Sequence, residues 1–261
     1  MPITAANAAE GANDAVGVDT AAVLNGTDAG LKANDSQMIP ATGDFTVEAW
    51  VQNARAAGTT GHFNIIAQTN DGGANIGPDQ FVLQTLDNQI RVYVGNQYLD
   101  TGVILTQNVW YHIAATVVRS GTNIILSIYV NGAAAAIKTF TVSATGLSTY
   151  TPGNDFWVGS NPVQPTSEFW SGKIDQVKVW GDDLAESQVA ESMHVYAATG
   201  VTSAPTLAAH FDFNENDSTD GKIYNRADAA KDLTITTAAR LAWADIAEVV
   251  SGGNIDAYRN I

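Results

Sequence analysis

The sequence predicts an all-β chain: an antiparallel two-sheet β-sandwich with one short helix. Three observations lead there. Ten or more short segments rich in β-branched and aromatic residues follow one another, separated by Gly, Asn, Asp and Pro. Only one stretch carries helical apolar spacing before the final residues. No period of solenoid or propeller length recurs, so the strands are expected to share one domain.

The elements run as follows. Residues up to Val23 are small and weakly patterned, reading as a linker or a loosely held edge, with 1–21 set apart from the domain. "DFTVEAWVQ" alternates, placing Phe45, Val47, Ala49 and Val51 on one face and Thr46, Glu48, Trp50 and Gln52 on the other. "FNIIAQT" is the next strand and the Gly-rich "NDGGANIGPD" a loop. "FVLQTLDNQIRVYVGN" is a hairpin turning at Asp87-Asn88, with Ile90, Val92 and Val94 on one face. "VWYHIAATVV" and "NIILSIYVNG" pair next. Asn131-Gly132 is a hairpin signal, since a type I′ turn needs positive φ twice, with "IKTFTV" returning. "DFWVGSN" and "EFWSGKIDQVKVW" follow. "DDLAESQVAESMHVYA" is the helix, capped by Asp182 or Asp183, with Leu184, Val189, Met193 and Val195 as its apolar set. "TLAAHFDFNE" puts Leu207, Ala209, Phe211 and Phe213 on one face, and "KDLTIT" closes the series. The last segment, from Ala242, reads as a short helix and a tail, so the domain is expected to span 22–243 and the tail 244–261.

Composition narrows the function classes. With 45% hydrophobic and 15% charged residues the chain has ample material for a core. Its 27 acids outweigh 12 bases, giving a net charge of −15, so nucleic acid is not an expected partner: phosphate binding needs a basic stripe. Asp outnumbers Glu 20 to 7, a bias that fits either a loop-rich protein in a calcium-containing medium or a solvated acidic surface. Cysteine is absent, which excludes disulfides and thiolate sites and leaves the compartment open. No apolar run is long enough to insert in a membrane. Met1-Pro2 begins no signal peptide, and the chain reads as a module cut from a longer protein.

Several segments together resemble the laminin-G-like branch of the concanavalin-A-like lectin/glucanase superfamily. "VLNGTDAGLKANDSQMIPATGDFTVEAWV" is similar to its opening unit, "NVWYHIAATVV" to its Trp-x-His strand, and "LSIYVNGA" to its Tyr-Val-Asn-Gly hairpin. "WVGSN…EFWSGKIDQVKVWGDDLAESQV" resembles the closing unit and "LAAHFDFNEND…IYNRAD" the final Phe-Asn-Glu segment. The resemblance covers roughly residues 22 to 237. It implies a jelly-roll sandwich, often a structural calcium ion, and recognition of glycan or protein by adhesins and multidomain secreted proteins. Fold alone fixes no ligand.

Catalysis finds no support. A retaining glycosidase needs two carboxylates about 5–5.5 Å apart, and acids at alternate positions of one strand would signal such a pair. Glu48 stands alone on its strand, Asp175 has no acidic neighbour on its own, and Asp212 and Glu215 do not share a face. The four histidines show no zinc spacing. A pair assembled from separate strands stays open.

The resemblance places a Ca2+ ion at Asn25, Gly26 and Asp28 of the "LNGTD" turn and at Asp175 of "GKIDQV"; Asp44, which opens the first long strand, is a further candidate ligand. Asp175 carries the strongest argument, because an acid in an apolar strand is costly unless paired or metal-bound. The alternative makes Asp28 and Asp44 turn residues and gives Asp175 backbone N–H partners. For a glycan, the candidate is Trp157. Phe156 and Val158 claim one face of their strand, so Trp157 points to the other, flanked by Asn154, Asp155 and Asn161, or else packs beneath a loop. Trp50, Trp110 and Trp180 read as structural, and Trp170 and Tyr98 as weaker members. The loop from Asn70 to Asp79 offers Asn70, Asp71, Asn75 and Asp79, either for ligand binding with a second calcium or as a mere connection. The expectation is a calcium-stabilised glycan-binding module at a loop rim, working in adhesion as part of a secreted or bacterial surface protein. The rivals are a spacer or protein-interaction domain and a glycan-degrading enzyme.

Overall fold

The computed structural model describes residues 19–33, 37–40, 42–70, 81–94, 97–133, 138–143, 154–161, 168–194, 201–214, 221–235 and 242–246. Among them are sixteen strands and one α-helix. One sheet, A, runs β10 (Lys138–Ser143), β9 (Asn123–Val130), β8 (Trp110–Ser120), β3 (Phe45–Asn53), β12 (Ser171–Trp180), β1 (Asp19–Asn25) and β16 (Ala242–Ile246), with β13 (Leu207–Phe211) also pairing β12. The other, B, runs β14 (Lys222–Ile223), β15 (Leu233–Ile235), β2 (Leu31–Ala33), β11 (Asn154–Val158), β4 (His62–Asn70), β5 (Phe81–Leu86), β6 (Gln89–Val94) and β7 (Gln97–Ile104). Every recorded pairing is antiparallel. No helix of the described residues is long and apolar enough to cross a membrane.

The alternating patterns meet between the sheets. Val47, Ala49 and Val51 of β3 and Ile113, Ala115 and Val117 of β8 face Phe81, Leu83, Val92 and Phe156 of sheet B in one buried cluster. Aromatic rings bridge the layers: Phe45 meets Phe81 edge-on at 5.6 Å, and Phe156 stacks on Phe211 at 6.1 Å. Each such ring contributes about 1.5–3 kcal/mol by leaving water.

The central strands of sheet A, β3 and β12, are buried on both faces, which alternation alone did not predict. Helix α1 (Glu186–Ser192) and Val201 cover its outer face, forming a second cluster with Ala114, Tyr129, Trp180, Leu184 and Val189. Glu48, Trp50, His112 and Lys178, on the polar side of their strands, are therefore buried as well. Trp50 and Trp180 are structural. The helix cap is Ala185 rather than Asp182 or Asp183; its N–H is satisfied by the Gln188 side chain at 2.8 Å.

Three local expectations need correction. Strand β1 lies between β12 and β16, with Ala21, Ala22 and Leu24 buried, although its sequence reads as linker. Its small residues hide the alternation, and the two neighbouring strands supply the order. Residues 242–246 form a strand against β1 rather than a helix, because pairing β1's edge satisfies backbone groups that a helix would leave open. Leu207 does not share the face of Ala209 and Phe211; the register shifts at Val179/Trp180 and delivers it to the second cluster. Asn131 and Gly132 do adopt positive φ, 54° and 59°, closed by Ala133 N–H on the Val130 carbonyl at 3.2 Å. β10 returns from there antiparallel to β9, with Lys138 opposite Ile128. The turn also packs on the end of α1: a Cβ on Gly132 would lie 2.3 Å from Met193 Sδ.

Candidate functional site

The outer face of sheet B carries a row set by strand register. Lys32 sits beside Trp157, Trp157 beside Ala67, Ala67 beside Val82, Val82 beside Tyr93 and Tyr93 beside Tyr98. Phe156 and Val158 are fully buried in the core, so Trp157 faces outward as its alternation predicts. It stands on a strand rather than at a loop rim and is partly exposed, while Ala67 and Val82 in the middle of the row are buried. Tyr98, 51% exposed, lies at the other end of the row.

Each end of the row carries a cation matched by a carboxylate. The Lys32 ammonium lies 4.9 Å from the Trp157 ring centre and forms an ion pair with Asp155. Arg91 donates to both oxygens of Asp100, at 2.5 and 2.7 Å, and to the Tyr93 hydroxyl at 3.1 Å. Its guanidinium lies 4.2 Å from the Tyr98 ring centre. The hydrogen bonds to Asp100 hold it charged, above the ordinary value. The Trp157 indole N–H is buried without a hydrogen-bond partner, as are Oδ1 of Asn64 and Oγ of Ser160.

Of the residues singled out for ligand binding, the structure brings Trp157, Asp155 and Tyr98 to this face. Asn161 is turned to Glu168, donating to Oε2 at 3.2 Å. Asn70 and Asn154 are register partners, but their side chains lie outside the described residues, as do Asp71, Asn75 and Asp79 entirely. Trp170 is fully buried and donates to the Lys173 carbonyl at 3.3 Å, so it offers no surface. Lys32, Arg91, Tyr93 and Asp100 were missed. The signal for two of them was present: in "QIRVYV" the apolar face of Ile90, Val92 and Val94 leaves Arg91 and Tyr93 on the other.

The expected calcium ligands do not converge. Oδ1 of Asn25 accepts the N–H groups of Thr27, Asp28 and Ala29 at 2.9, 3.2 and 3.2 Å, and its Nδ2 donates to Asp28 at 2.9 Å. Gly26, at φ 73°, completes the turn. This is a self-satisfied Asx turn. Asp175 pairs with Trp50, whereas Asn25 pairs with Ser171, a separation of about 13 Å along β12. Asp175 is fully buried, and its Oδ1 accepts the Gln176 N–H at 2.7 Å within a bulge where Gln176 has φ 48°. These residues do not fit one ion. Asp44 instead stands with Asp182 and Asp183, one oxygen from each lying within 4.8 Å of the others. Burial and the Asp182 and Asp44 charges push Asp183 above the ordinary carboxylate value.

A buried polar hub lies on the outer face of sheet A. Glu48 accepts Trp180 Nε1–H at 3.1 Å and the Ser192 hydroxyl, lies 3.1 Å from His112 Nε2, and is 3.7 Å from the Lys178 ammonium. Burial would raise its pKa, but the Lys178 charge, His112 and Ser192 outweigh burial and hold it at about 2. Lys178 also donates to the Ser192 carbonyl at 2.9 Å. Under α1 and away from solvent, this hub fastens the helix rather than meeting a substrate.

Comparisons with known proteins agree with the geometry. The family model described as the concanavalin A-like lectin/glucanases superfamily matches residues 25–190. Among curated proteins none matches this sequence. A solved structure of a candidate carbohydrate-binding protein from Bacteroides ovatus superimposes with a TM-score of 0.62 at 18% identity, covering 90% of this chain. The chain spans only 62% of that protein's length. The sialidase CBM40 of Ruminococcus gnavus, solved bound to alpha2,3 sialyllactose, gives a TM-score of 0.50 at 15% identity over 64% of this chain and 95% of its own. At these identities the likeness is one of fold.

Proposed function

Because the chain belongs to the concanavalin A-like lectin/glucanase superfamily, we propose that it is a non-catalytic glycan-binding module. The observation that carries this reading is Trp157, partly exposed on the side of sheet B away from the core, in a row that ends on Tyr93 and the exposed Tyr98. Sugars present C–H faces that lie flat on such rings. Module structures of this fold solved with or named for carbohydrate support the same reading. With a glycan as ligand, the proposed setting is outside the cell, in adhesion by a secreted or surface protein of greater length.

The non-catalytic part rests on the acids of this face. Asp155 on β11 and Asp100 on β7 are each held by a cation and stand four strands apart in sheet order, about 19 Å. A glycosidase pair works at about 5–10 Å. Calcium enters the proposal at Asp44, Asp182 and Asp183, whose donor type suits a hard cation. When bound, the ion would offset their mutual repulsion and tie the start of β3 to the connection between β12 and α1.

The test is a glycan array probed with the wild-type chain and with Trp157→Ala, calcium present. Signals on defined glycans that the variant loses support the reading. Background signals from both chains would refute it and leave a spacer or protein-interaction role.

A further inference from the structure

We infer that Asn131 is a site of spontaneous covalent modification, at which the Gly132 nitrogen displaces the side-chain amide and the turn becomes aspartyl or isoaspartyl. The described residues include two Asn-Gly dipeptides, Asn25-Gly26 and Asn131-Gly132, each with an exposed asparagine. Glycine favours the reaction because it has no side chain to hinder approach to its nitrogen. The step is a ring closure. The glycine nitrogen loses its proton and bonds to the asparagine Cγ, the Cγ–Nδ2 bond breaks, and ammonia leaves with a proton. Water then opens the cyclic imide at either carbonyl. One opening leaves aspartate in a normal main chain; the other routes the main chain through the side chain and lengthens it by one carbon. Water is the sole co-reactant, and nothing is oxidised or reduced.

The two dipeptides share this chemistry and differ in what holds the amide. To be attacked, the side chain must leave its hydrogen bonds and swing toward the next nitrogen. Asn25 has four to break: Oδ1 accepts the N–H groups of Thr27, Asp28 and Ala29, and Nδ2 donates to Asp28. Asn131 has one, the His112 N–H donating to its Oδ1 at 2.9 Å. Neither its Nδ2 nor the Gly132 N–H has a hydrogen-bond partner among the described residues. Each bond broken adds to the barrier, so Asn131 reacts and Asn25 is protected.

The product is felt beneath the turn. A Cβ on Gly132 would lie 2.3 Å from Met193 Sδ and 3.3 Å from the Ala190 Cα, so the turn has no spare room against the end of α1. An extra main-chain carbon must push there. The Met193 carbonyl accepts Trp50 Nε1–H at 3.0 Å, and the Ser192 carbonyl accepts the Lys178 ammonium at 2.9 Å. Moving this end of the helix therefore loosens the buried hub around Glu48, and isoaspartate at 131 lowers stability.

The test is incubation of the intact chain in warm buffer at mildly acidic and mildly alkaline pH, sampled by peptide mass spectrometry and by thermal melts. Synthetic peptides carrying each dipeptide calibrate the chemistry and should convert alike. In the folded chain Asn131 should convert at least roughly tenfold faster than Asn25. Conversion should be faster at alkaline pH, because the attacking nitrogen must lose its proton. The melting temperature should fall by several degrees as isoaspartate accumulates. Asn131→Gln, whose longer side chain cannot close the same ring, should keep its melting temperature over the same incubation. Asn25 converting as fast as Asn131 in the folded chain, or Asn131 unchanged while its peptide converts, would overturn the inference. A melting temperature that falls equally in Asn131→Gln would overturn the coupling to α1.

Discussion

Trp180 Nε1–H donates to Oε1 of Glu48 at 3.1 Å, and both residues are fully buried. The pair joins neighbouring strands β12 and β3, and Ser192 joins the last turn of α1 to the same carboxylate. A charge in this position is tolerated because both of its oxygens have hydrogen-bond partners and the Lys178 ammonium stands beside it.

Glu48→Ala removes the acceptor for Trp180 and Ser192 and leaves Lys178 buried with less compensation. It should cost about 3–5 kcal/mol in a urea titration. A loss below about 1 kcal/mol would mean that α1 is held by its apolar contacts alone.

Stability should fall in two stages as the pH is lowered. Burial, with Lys178 and Arg226 nearby, pushes His210 well below its ordinary 6.5. Above that pH the ring is neutral in folded and unfolded chains alike; below it only the unfolded chain takes up the proton, so stability drops. Glu48, at about 2 against an ordinary 4.5, repeats this below pH 4.5, for a loss on the order of 3 kcal/mol by pH 2. Melting temperatures across this range check both stages. In His210→Asn the slope between about pH 5 and 6.5 should vanish.

Gly172→Ala should destabilise by at least about 3 kcal/mol. Its φ is 138°, and a Cβ would lie 2.0 Å from the Gln52 carbonyl oxygen. Gly121→Ala is the control. With φ 61° and nothing within 4 Å, it should cost only about 1 kcal/mol, the strain of the left-handed region. Equal losses in chemical denaturation would show that close approach to Gln52 is not what demands glycine.

Millimolar calcium should raise the melting temperature by several degrees over EDTA, and Asp183→Ala should abolish the rise, since an ion bound only by the folded chain stabilises it by mass action. A flat response after metal removal would leave the acidic cluster as surface charge. Asp28→Ala serves as the contrast: Asn25 caps that turn by itself, so the calcium response should persist.

Much of the scaffold was legible because alternation reports which side of a strand is apolar. Phe156 and Val158 gave away Trp157, and Asp87-Asn88, at φ 53° and 65°, turns the β5–β6 hairpin as its residues demand. β1 and β16 were illegible for the opposite reason: their residues suit a strand only when a neighbouring edge offers hydrogen bonds. Asp175 misled because an acid among apolar residues signals compensation without saying which kind. Here it is a backbone N–H in a bulge and the nearby charge of Lys178.

By itself the sequence determined the sandwich class, the outward aim of Trp157, the acidic balance and the turns, since all are properties of neighbours along the chain. Only the tertiary structure decided that Trp157, Tyr93 and Tyr98 stand in one row, that each cation beside them meets a carboxylate, and that Glu48 is sealed under a helix. Those facts depend on register and on packing between segments far apart in sequence, and a shift of one residue in a single strand would turn its side chains to the other face.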